Sequence, residues 1–408
     1  GSVSTLSQPN YYRAYEMESI GGGRYAYTIG VNKCGAYRIN ARYRVNGGPY
    51  VYYTDNGLRR DCAVVASPKK ALELIMYELN PMFVEATSDE FASRSTFEDV
   101  YTVNVDRPDR VNTNYFDSLG LNMMWLQPIH PIGSEGRQTD PDTGFAYEPG
   151  SPYAVHNYWQ VNAVLGDSNN TDRAMTEFTD FVGAMDSVGV GVMLDGTFNH
   201  SAWDCQIGQI GVDMGLTYEV MSTDTNGITT TNIVAVEATD LIRDVRPEWY
   251  SRTDQYGEHA SYYESGSENN IAVAPDRIDF GKWSDAADFN FGTYDCLVQE
   301  AAGNTNNAWA SRWNKRYLLE EDRFEGHDAY TRELWEYFSR YSLYWMAQPA
   351  HPAGTPPEES SRGIDGLRCD FAQGLPSTFW EYCINKTRSV KWDFLFMAES
   401  LDGYSEVA

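Results

Sequence analysis

Residues 363–376 read GIDGLRCDFAQGLP, and residues 392–403 read WDFLFMAESLDG. Each segment contains a short apolar run of the kind that forms a buried parallel strand, and each run is followed by a carboxylate. The carboxylates are Asp370 in the first segment and Glu399 in the second. Parallel barrels carry their chemistry at the C-terminal ends of their strands. We therefore expect the two carboxylates to meet at one rim of a parallel sheet.

The surroundings of the two carboxylates predict different roles for them. Arg368 lies two residues before Asp370, so strand alternation places both side chains on one face, where the guanidinium favours an ionised carboxylate. Asp370 is therefore a candidate nucleophile. Glu399 follows Phe396 and Met397, and apolar neighbours of this kind are expected to raise its pKa toward that of a general acid.

Four short motifs follow one another along the chain. They are GSPYAVHNYWQVNAVLG with Tyr153, GVGVMLDGTFNH with Asp195, Asn199 and His200, the spaced triplet Gly366, Arg368 and Asp370, and FLFMAE ending at Glu399. Together and in this order they resemble the α-amylase family, whose members are retaining α-glucan hydrolases and transferases with a (β/α)8 barrel. A single motif is weak, because Gly-x-Arg-x-Asp occurs by chance in many chains, whereas four in order are specific.

The resemblance implies a role for each residue. Catalytic roles fall to Asp370 as nucleophile, Glu399 as acid and base, and Arg368 beside them, and substrate binding falls to Tyr153, His200 and Asp195, with Asp195 also holding the arginine. Asn199 would bind a structural Ca²⁺, and no organic cofactor is implied. Asp195 as a helix cap and His200 as a loop residue remain the alternative interpretations.

Two positions depart from the family pattern. Ala154 stands where the family usually has Asp after the tyrosine, and Gln373 with Gly374 stands where many amylases have Lys-His. The second departure leaves open whether water or a sugar hydroxyl resolves the covalent intermediate. The sequence also leaves open the choice between α-1,4 and α-1,6 bonds and the preferred chain length.

The predicted fold is α/β, a (β/α)8 barrel of which strands 1 to 5 lie in this chain. Residues 1–85 alternate apolar and polar positions and predict an N-terminal β-sandwich, for which packing against the barrel is favoured over carbohydrate binding. Residues 86–200 form the first part of the barrel, with the first strand expected at residues 99–106. Residues 201–285 lack a sustained period and correspond to the family's domain B after strand 3, and residues 286–408 continue the barrel through strand 5.

Composition limits the function classes. The formal net charge is −27, which disfavours nucleic acid as a partner, and no stretch of about 18 uninterrupted apolar residues predicts a membrane span. Aromatic residues make up 14% of the chain, which suits stacking on sugar rings, although most aromatics are expected in the core. Acidity, the Gly-Ser start and a polymeric substrate predict a secreted or periplasmic protein.

The sequence therefore predicts a retaining glycoside hydrolase that cleaves α-glucosidic bonds in starch-like α-glucans. The alternatives are an α-glucan transglycosylase with the same residues and a non-catalytic glucan-binding protein. Because five strands leave an open sheet edge and the family's last carboxylate motif is absent, we expect the remaining C-terminal segment, with a third catalytic Asp, to be supplied as a second chain.

Overall fold

The computed structural model describes residues 13–55, 58–59, 62–88, 93–167, 169–250, 285–289, 291, 329–348, 363–372, 375 and 377–399. Within these ranges the central element is a five-stranded, all-parallel sheet. In chain order its strands are β9 (Met76–Leu79), β10 (Met123–Leu126), β11 (Gly191–Gly196), β16 (Gly366–Cys369) and β17 (Leu395–Ala398). They pair in the same order as along the chain, so each strand lies beside the next one. A parallel sheet with covering helices agrees with the predicted α/β class, whereas closure into an eight-stranded barrel stays a prediction.

Helices pack around the parallel sheet. The helices of the first half are α1 (Phe97–Tyr101), α2 (Thr113–Leu119) and α3 (Thr171–Ser187), and those near the end are α6 (Ala329–Ser339), α7 (Tyr341–Ala347) and α8 (Ser377–Arg388). The apolar face predicted for α3 is buried and includes Phe178, Phe181 and Met185. Spacing of three and four residues places these side chains on one side of the helix, so α3 packs onto the sheet as a crossover.

The first parallel strand lies earlier than predicted. We expected it at residues 99–106, but that segment begins inside α1 and continues as loop. The reason is a capping box, in which the Thr96 hydroxyl accepts from Asp99 N and the Asp99 carboxylate accepts from Thr96 N. The first strand is instead β9, which falls inside the range assigned to the N-terminal sandwich. The other domain boundaries stay predictions.

The N-terminal part forms short antiparallel ladders, each of two strands. Their strands are β1 (Glu18–Gly21), β2 (Arg24–Ala26), β3 (Gly35–Ile39), β4 (Arg42–Tyr43), β5 (Val51–Tyr52), β6 (Thr54–Asp55), β7 (Leu58–Arg59) and β8 (Cys62–Ala66). The β3–β8 ladder packs on α8, where the Asn385 side chain accepts from Ala36 N and donates to Ala36 O. This contact supports the predicted packing role of the segment and leaves carbohydrate binding untested.

The segment after β11 contains more regular structure than its sequence pattern predicted. Its elements are β12 (His200–Ala202), α4 (Gly208–Asp213), β13 (Thr217–Thr223), β14 (Thr229–Ala235), α5 (Ile242–Val245) and β15 (Ala286–Asp288). β13 and β14 form a solvent-exposed antiparallel hairpin, and β12 pairs with β15. The hairpin was missed because both its faces are exposed and polar residues alternate weakly with apolar ones.

The helical region near residue 340 differs in one detail from the prediction. The single helix predicted over residues 328–348 is divided into α6 and α7 at Arg340, with Leu334, Phe338 and Trp345 buried as the sequence indicated. In the part of the chain that the structure describes, no helix is long and apolar enough to cross a membrane.

Candidate active site

The C-terminal ends of three adjacent strands bring four charged side chains together. Asp195 near the end of β11 is the register partner of Arg368 in β16, and the chain leaves β16 through Asp370. Glu399 directly follows β17, and its N–H donates to Cys369 O at 3.0 Å. Parallel pairing therefore places these residues on one rim, as the opening segments of the sequence predicted.

The Arg368 guanidinium is the centre of this group. Its Nη1 donates to Asp195 Oδ1 at 2.9 Å and to Asp370 Oδ1 at 2.5 Å, while its Nη2 lies 2.7 Å from Glu399 Oε2. Arg368 is buried, and its pKa is raised above its ordinary value because the facing carboxylates outweigh the effect of burial. One cation thus positions three carboxylates at fixed distances.

Two aromatic residues surround the same guanidinium. The Cζ atom of Arg368 lies 5.2 Å from the ring centre of Trp125 and 5.9 Å from that of Tyr153. Trp125 Nε1 and Tyr153 Oη also donate to Asp195 Oδ2, at 3.2 and 3.3 Å. The sequence predicted a site role for Tyr153 but not for Trp125, which we had taken to be an apolar residue of a buried strand. The signal that could have found it is its place near the C-terminal end of β10.

Asp195 differs in position from the other predicted site residues. Its side chain has no exposed surface, and it contacts Arg368, Trp125 and Tyr153 behind the cavity described below. Direct contact with a substrate, which its inclusion among the substrate-binding residues implied, therefore does not fit this structure. Its contacts instead match the second role expected for it, that of holding the arginine.

Glu399 lies in a more polar place than we predicted. Its side chain is 26% exposed, and its Oε2 accepts from Phe371 N at 2.9 Å as well as pairing with Arg368. Phe371 takes a left-handed conformation, with φ of 42°, directly after Asp370. This turn aims the Phe371 N–H at Glu399, so two donors face the carboxylate where the sequence predicted apolar neighbours. The sequence prediction considered only the apolar neighbours Phe396 and Met397 and did not include these two donors.

The buried carboxylates hold their protons more tightly than exposed ones. Burial raises the pKa of Asp195 to about 7, against the lowering effect of Arg368 and with a further raising effect from Asp370. Burial also raises the pKa of Asp370, again opposed by Arg368. Three carboxylates share one guanidinium, so the cluster carries excess negative charge when all are ionised, and a proton on Asp195 relieves it.

A cavity of about 580 Å³ opens over this cluster. Its lining includes six of the seven predicted site residues, namely Tyr153, Asn199, His200, Arg368, Asp370 and Glu399. Residues that the sequence did not single out also line it, namely Arg137, Gln138, Tyr147 and Asp285. The cavity volume is in the range of small-molecule sites. The arrangement therefore offers two carboxylates, one fixed cation and an aromatic ring to a ligand of modest size.

His200 and Asn199 lie at the buried side of the cavity. Burial lowers the pKa of His200 to about 4, so its imidazole is neutral at pH 7 and can exchange hydrogen bonds with hydroxyl groups. Asn199 Oδ1 is buried and makes no hydrogen bond to the residues that the structure describes. Such an oxygen suits a cation or a ligand hydroxyl.

Asn199 is the residue that we assigned to a structural Ca²⁺, and this assignment stays a prediction. Ca²⁺ takes about six to eight oxygen ligands, and Asn199 supplies one. No group of three or more His, Cys, Asp or Glu side chains suited to a metal ion occurs among the residues described. Gln373 and Gly374, where the sequence departs from the family pattern, lie outside the described residues. No chemical step is therefore routed through calcium.

Comparison with known proteins finds local sequence relatives. No family model matches the chain. It is 30% identical over 141 residues to an α-1,4-glucan:maltose-1-phosphate maltosyltransferase of Arcanobacterium haemolyticum, which covers 33% of this chain and 19% of that protein. It is 32% identical over 94 residues to a glycogen debranching enzyme of Klebsiella pneumoniae, which covers 22% and 12%. The matches thus span less than a fifth of either relative's length.

Solved structures with a similar arrangement cover more of the chain at lower identity. An α-amylase from Lactobacillus plantarum is 20% identical, covers 80% of this chain and 45% of its own, and gives a TM-score of 0.42. A debranching enzyme from Nostoc punctiforme is 14% identical, covers 83% and 50%, and gives a TM-score of 0.41. The chain therefore spans about half the length of these proteins.

Proposed function

We propose that this chain is a member of the α-amylase family, to which its sequence motifs and its local relatives point, and that it is a retaining glycoside hydrolase that cleaves α-glucosidic bonds in starch-like α-glucans. The observation that carries the proposal is the pairing of Asp370 and Glu399 with one guanidinium at the floor of a cavity. Retaining glycosidases use two carboxyl groups about 5 to 5.5 Å apart. Asp370 and Glu399 bind the two terminal nitrogens of the same guanidinium, and this proximity supports the proposal.

The first half of the reaction forms a covalent intermediate. Asp370 attacks the anomeric carbon while Glu399 donates its proton to the glycosidic oxygen, so the C–O bond to the leaving sugar breaks and that sugar departs as an alcohol. Arg368 remains bound to Asp195, which keeps the guanidinium in place beside the nucleophile. For Glu399 to act as an acid, it must be protonated and turn away from Arg368 toward the substrate.

The second half restores the ionised Asp370 and the protonated Glu399. Glu399 takes a proton from water, the water oxygen attacks the anomeric carbon, and the ester bond to Asp370 breaks to release a sugar of retained configuration. Tyr153 offers its ring to the sugar in the cavity, and neutral His200 offers a hydrogen bond to a hydroxyl group. At the end Asp370 is again a free carboxylate and Glu399 again carries a proton, so the cycle closes without any external reactant except water.

Transfer is the second candidate, and one comparison favours it. One relative, which matches this chain over 141 residues, is a maltosyltransferase. In the second half of the reaction a sugar hydroxyl can replace water while the catalytic residues stay the same. Incubation with maltoheptaose separates the two reactions, because transfer gives products longer than the substrate and hydrolysis gives only shorter ones. A protein that binds maltoheptaose but leaves it intact would instead support the third candidate, a non-catalytic glucan-binding protein.

The location proposed for this activity is outside the cytoplasm, in the secreted or periplasmic fraction. A polymeric glucan substrate and the net charge of −27 support it. Fractionation of cells that express the natural gene, with antibody detection of the protein, tests this proposal directly.

The roles of the two carboxylates are tested with substrates that differ in their leaving group. Glu399→Gln should lower turnover of maltoheptaose by about 10²- to 10⁴-fold, because general acid catalysis is lost. The same variant should still release fluoride from α-glucosyl fluoride in a first turnover, since fluoride leaves without protonation. Asp370→Asn should lose both reactions. Asp117→Asn, at an exposed position in α2, is the control, and activity retained in Asp370→Asn would refute the assignment.

A further inference from the structure

We propose that the hairpin formed by residues 138–147 binds additional glucosyl units of an α-glucan chain beyond the cavity, through the face that carries Gln138, Phe145 and Tyr147. This inference rests on the proposed function and extends it to the length of substrate that the site prefers. It assigns a binding role to a loop that the sequence motifs did not include.

The hairpin holds a defined shape through its own backbone bonds. Tyr147 N donates to Gln138 O at 2.9 Å, and Asp140 N donates to Phe145 O at 2.8 Å, on either side of an antiparallel bridge between Thr139 and Ala146. The Asp140 carboxylate accepts from the backbone of the turn, at Asp142 N and Thr143 N. The hairpin is therefore a closed turn between two paired strands.

Arg137 holds the base of the hairpin in place. Its Nε donates to Gly133 O at 2.7 Å, and its Nη1 donates to Glu148 Oε1 at 2.7 Å, which ties the two ends of the loop together. Arg137 also lines the cavity. The orientation of the hairpin is thus linked to the wall of the site and not to a distant part of the surface.

One face of the hairpin continues the wall of the cavity. Side chains two residues apart on a strand point the same way, so Phe145 and Tyr147 share a face with their partners Asp140 and Gln138. Tyr147 and Gln138 line the cavity, so this face of the hairpin is the one directed toward it. Phe145 lies about 7 Å further along the strand. A chain that leaves the cavity past Tyr147 would therefore meet Phe145 next.

The two aromatic rings on this face are open to solvent and are therefore accessible to a ligand. Phe145 is 77% exposed and Tyr147 is 48% exposed, although both are large apolar side chains. Aromatic rings stack on the apolar faces of sugars, and the Gln138 amide and Asp140 carboxylate beside them provide hydrogen-bonding groups for hydroxyls. A chain with a net charge of −27 repels an anionic ligand, so a neutral sugar polymer is the favoured occupant over a phosphate-bearing one.

The test compares short and long ligands by isothermal titration calorimetry. Maltose and maltoheptaose are titrated into the full chain carrying Asp370→Asn, which prevents turnover, and into the same chain with Phe145→Ala added. We expect Phe145→Ala to weaken the Kd for maltoheptaose roughly two- to tenfold, the range of one aromatic contact, and to leave the Kd for maltose unchanged. Ile233→Ala, on the β13–β14 hairpin and 74% exposed, should change neither.

Each other outcome has a separate meaning. Equal Kd values for maltoheptaose with and without Phe145 would overturn the inference while leaving the proposed function in place. Equal weakening for both sugars would also overturn it, because Phe145 would then act on the cavity and not beyond it. If the parent protein bound neither sugar, the proposed function would fail and this inference would fail with it.

Discussion

Replacing Asp195 with asparagine should flatten the pH dependence of the free energy of unfolding. The Asp195 side chain has no exposed surface and faces Arg368 Nη1, Trp125 Nε1 and the Tyr153 hydroxyl. Burial raises its pKa to about 7, while Arg368 lowers it and the charge of Asp370 raises it. Asparagine fills the same space and is neutral at every pH, so the variant isolates the contribution of this one proton.

The sign and size follow from linkage. An unfolded aspartate has a pKa of about 3.9, so the folded chain holds the Asp195 proton more tightly between about pH 4 and pH 7. The resulting stability is fully present below about pH 4 and is lost as the pH rises through about 7. A difference of about 3 pKa units corresponds to a loss on the order of 4 kcal/mol across this window.

The assay is urea denaturation followed by tryptophan fluorescence at several pH values from about 4 to 8. Titrations of groups away from the Arg368 cluster affect the parent and the variant alike, so the informative quantity is the difference between their free energies of unfolding. We expect the free energy of unfolding of Asp195→Asn to increase relative to that of the parent protein as the pH rises. The control Asp117→Asn, at an exposed position, should show the same pH dependence as the parent. A parent-minus-variant difference that stays constant between pH 4 and 8 would refute the reasoning.

Two further substitutions test a buried ion pair at the N-terminal end of the parallel strands and the tryptophan beside the arginine of the site. Lys391→Met should lower the free energy of unfolding, measured by urea denaturation, by about 3 to 5 kcal/mol, because Lys391 is fully buried and pairs with Asp365 at 2.9 Å. The control Lys70→Met, at a partly exposed residue, should lower it by less than about 1 kcal/mol. Equal losses in the two variants would contradict the importance of the buried pair. Trp125→Phe should lower kcat about tenfold, because the hydrogen bond from Trp125 to Asp195 is lost. An unchanged kcat in steady-state assays would show that this hydrogen bond does not contribute to turnover.

The sequence predicted the positions of the charged residues well because they depend on strand ends. Apolar runs before Asp195, Asp370 and Glu399 fix where β11, β16 and β17 end, and parallel pairing then brings the three carboxylates to one rim. Alternation also placed Arg368 beside Asp370. These inferences needed only local periodicity and the general geometry of parallel sheets.

Tertiary context decided what the sequence missed. The left-handed turn at Phe371 gives Glu399 a polar partner that no local pattern announces. A capping box at Thr96 converts part of the expected first strand into α1, and the short strand β9 takes its place in the sheet. Side-chain roles set by contacts between distant segments, such as Trp125 with Asp195 across 70 residues, likewise require the folded structure.

The most direct test of the central claim is to identify the residue that bonds to the sugar. The protein is incubated with a fluorinated α-glucosyl fluoride, which forms the covalent intermediate faster than water removes it, and is then digested and analysed by mass spectrometry. We expect one added fluoroglucosyl group on Asp370, and none in Asp370→Asn. A label on another residue, or turnover of an α-glucan with inverted configuration at the anomeric carbon, would contradict it.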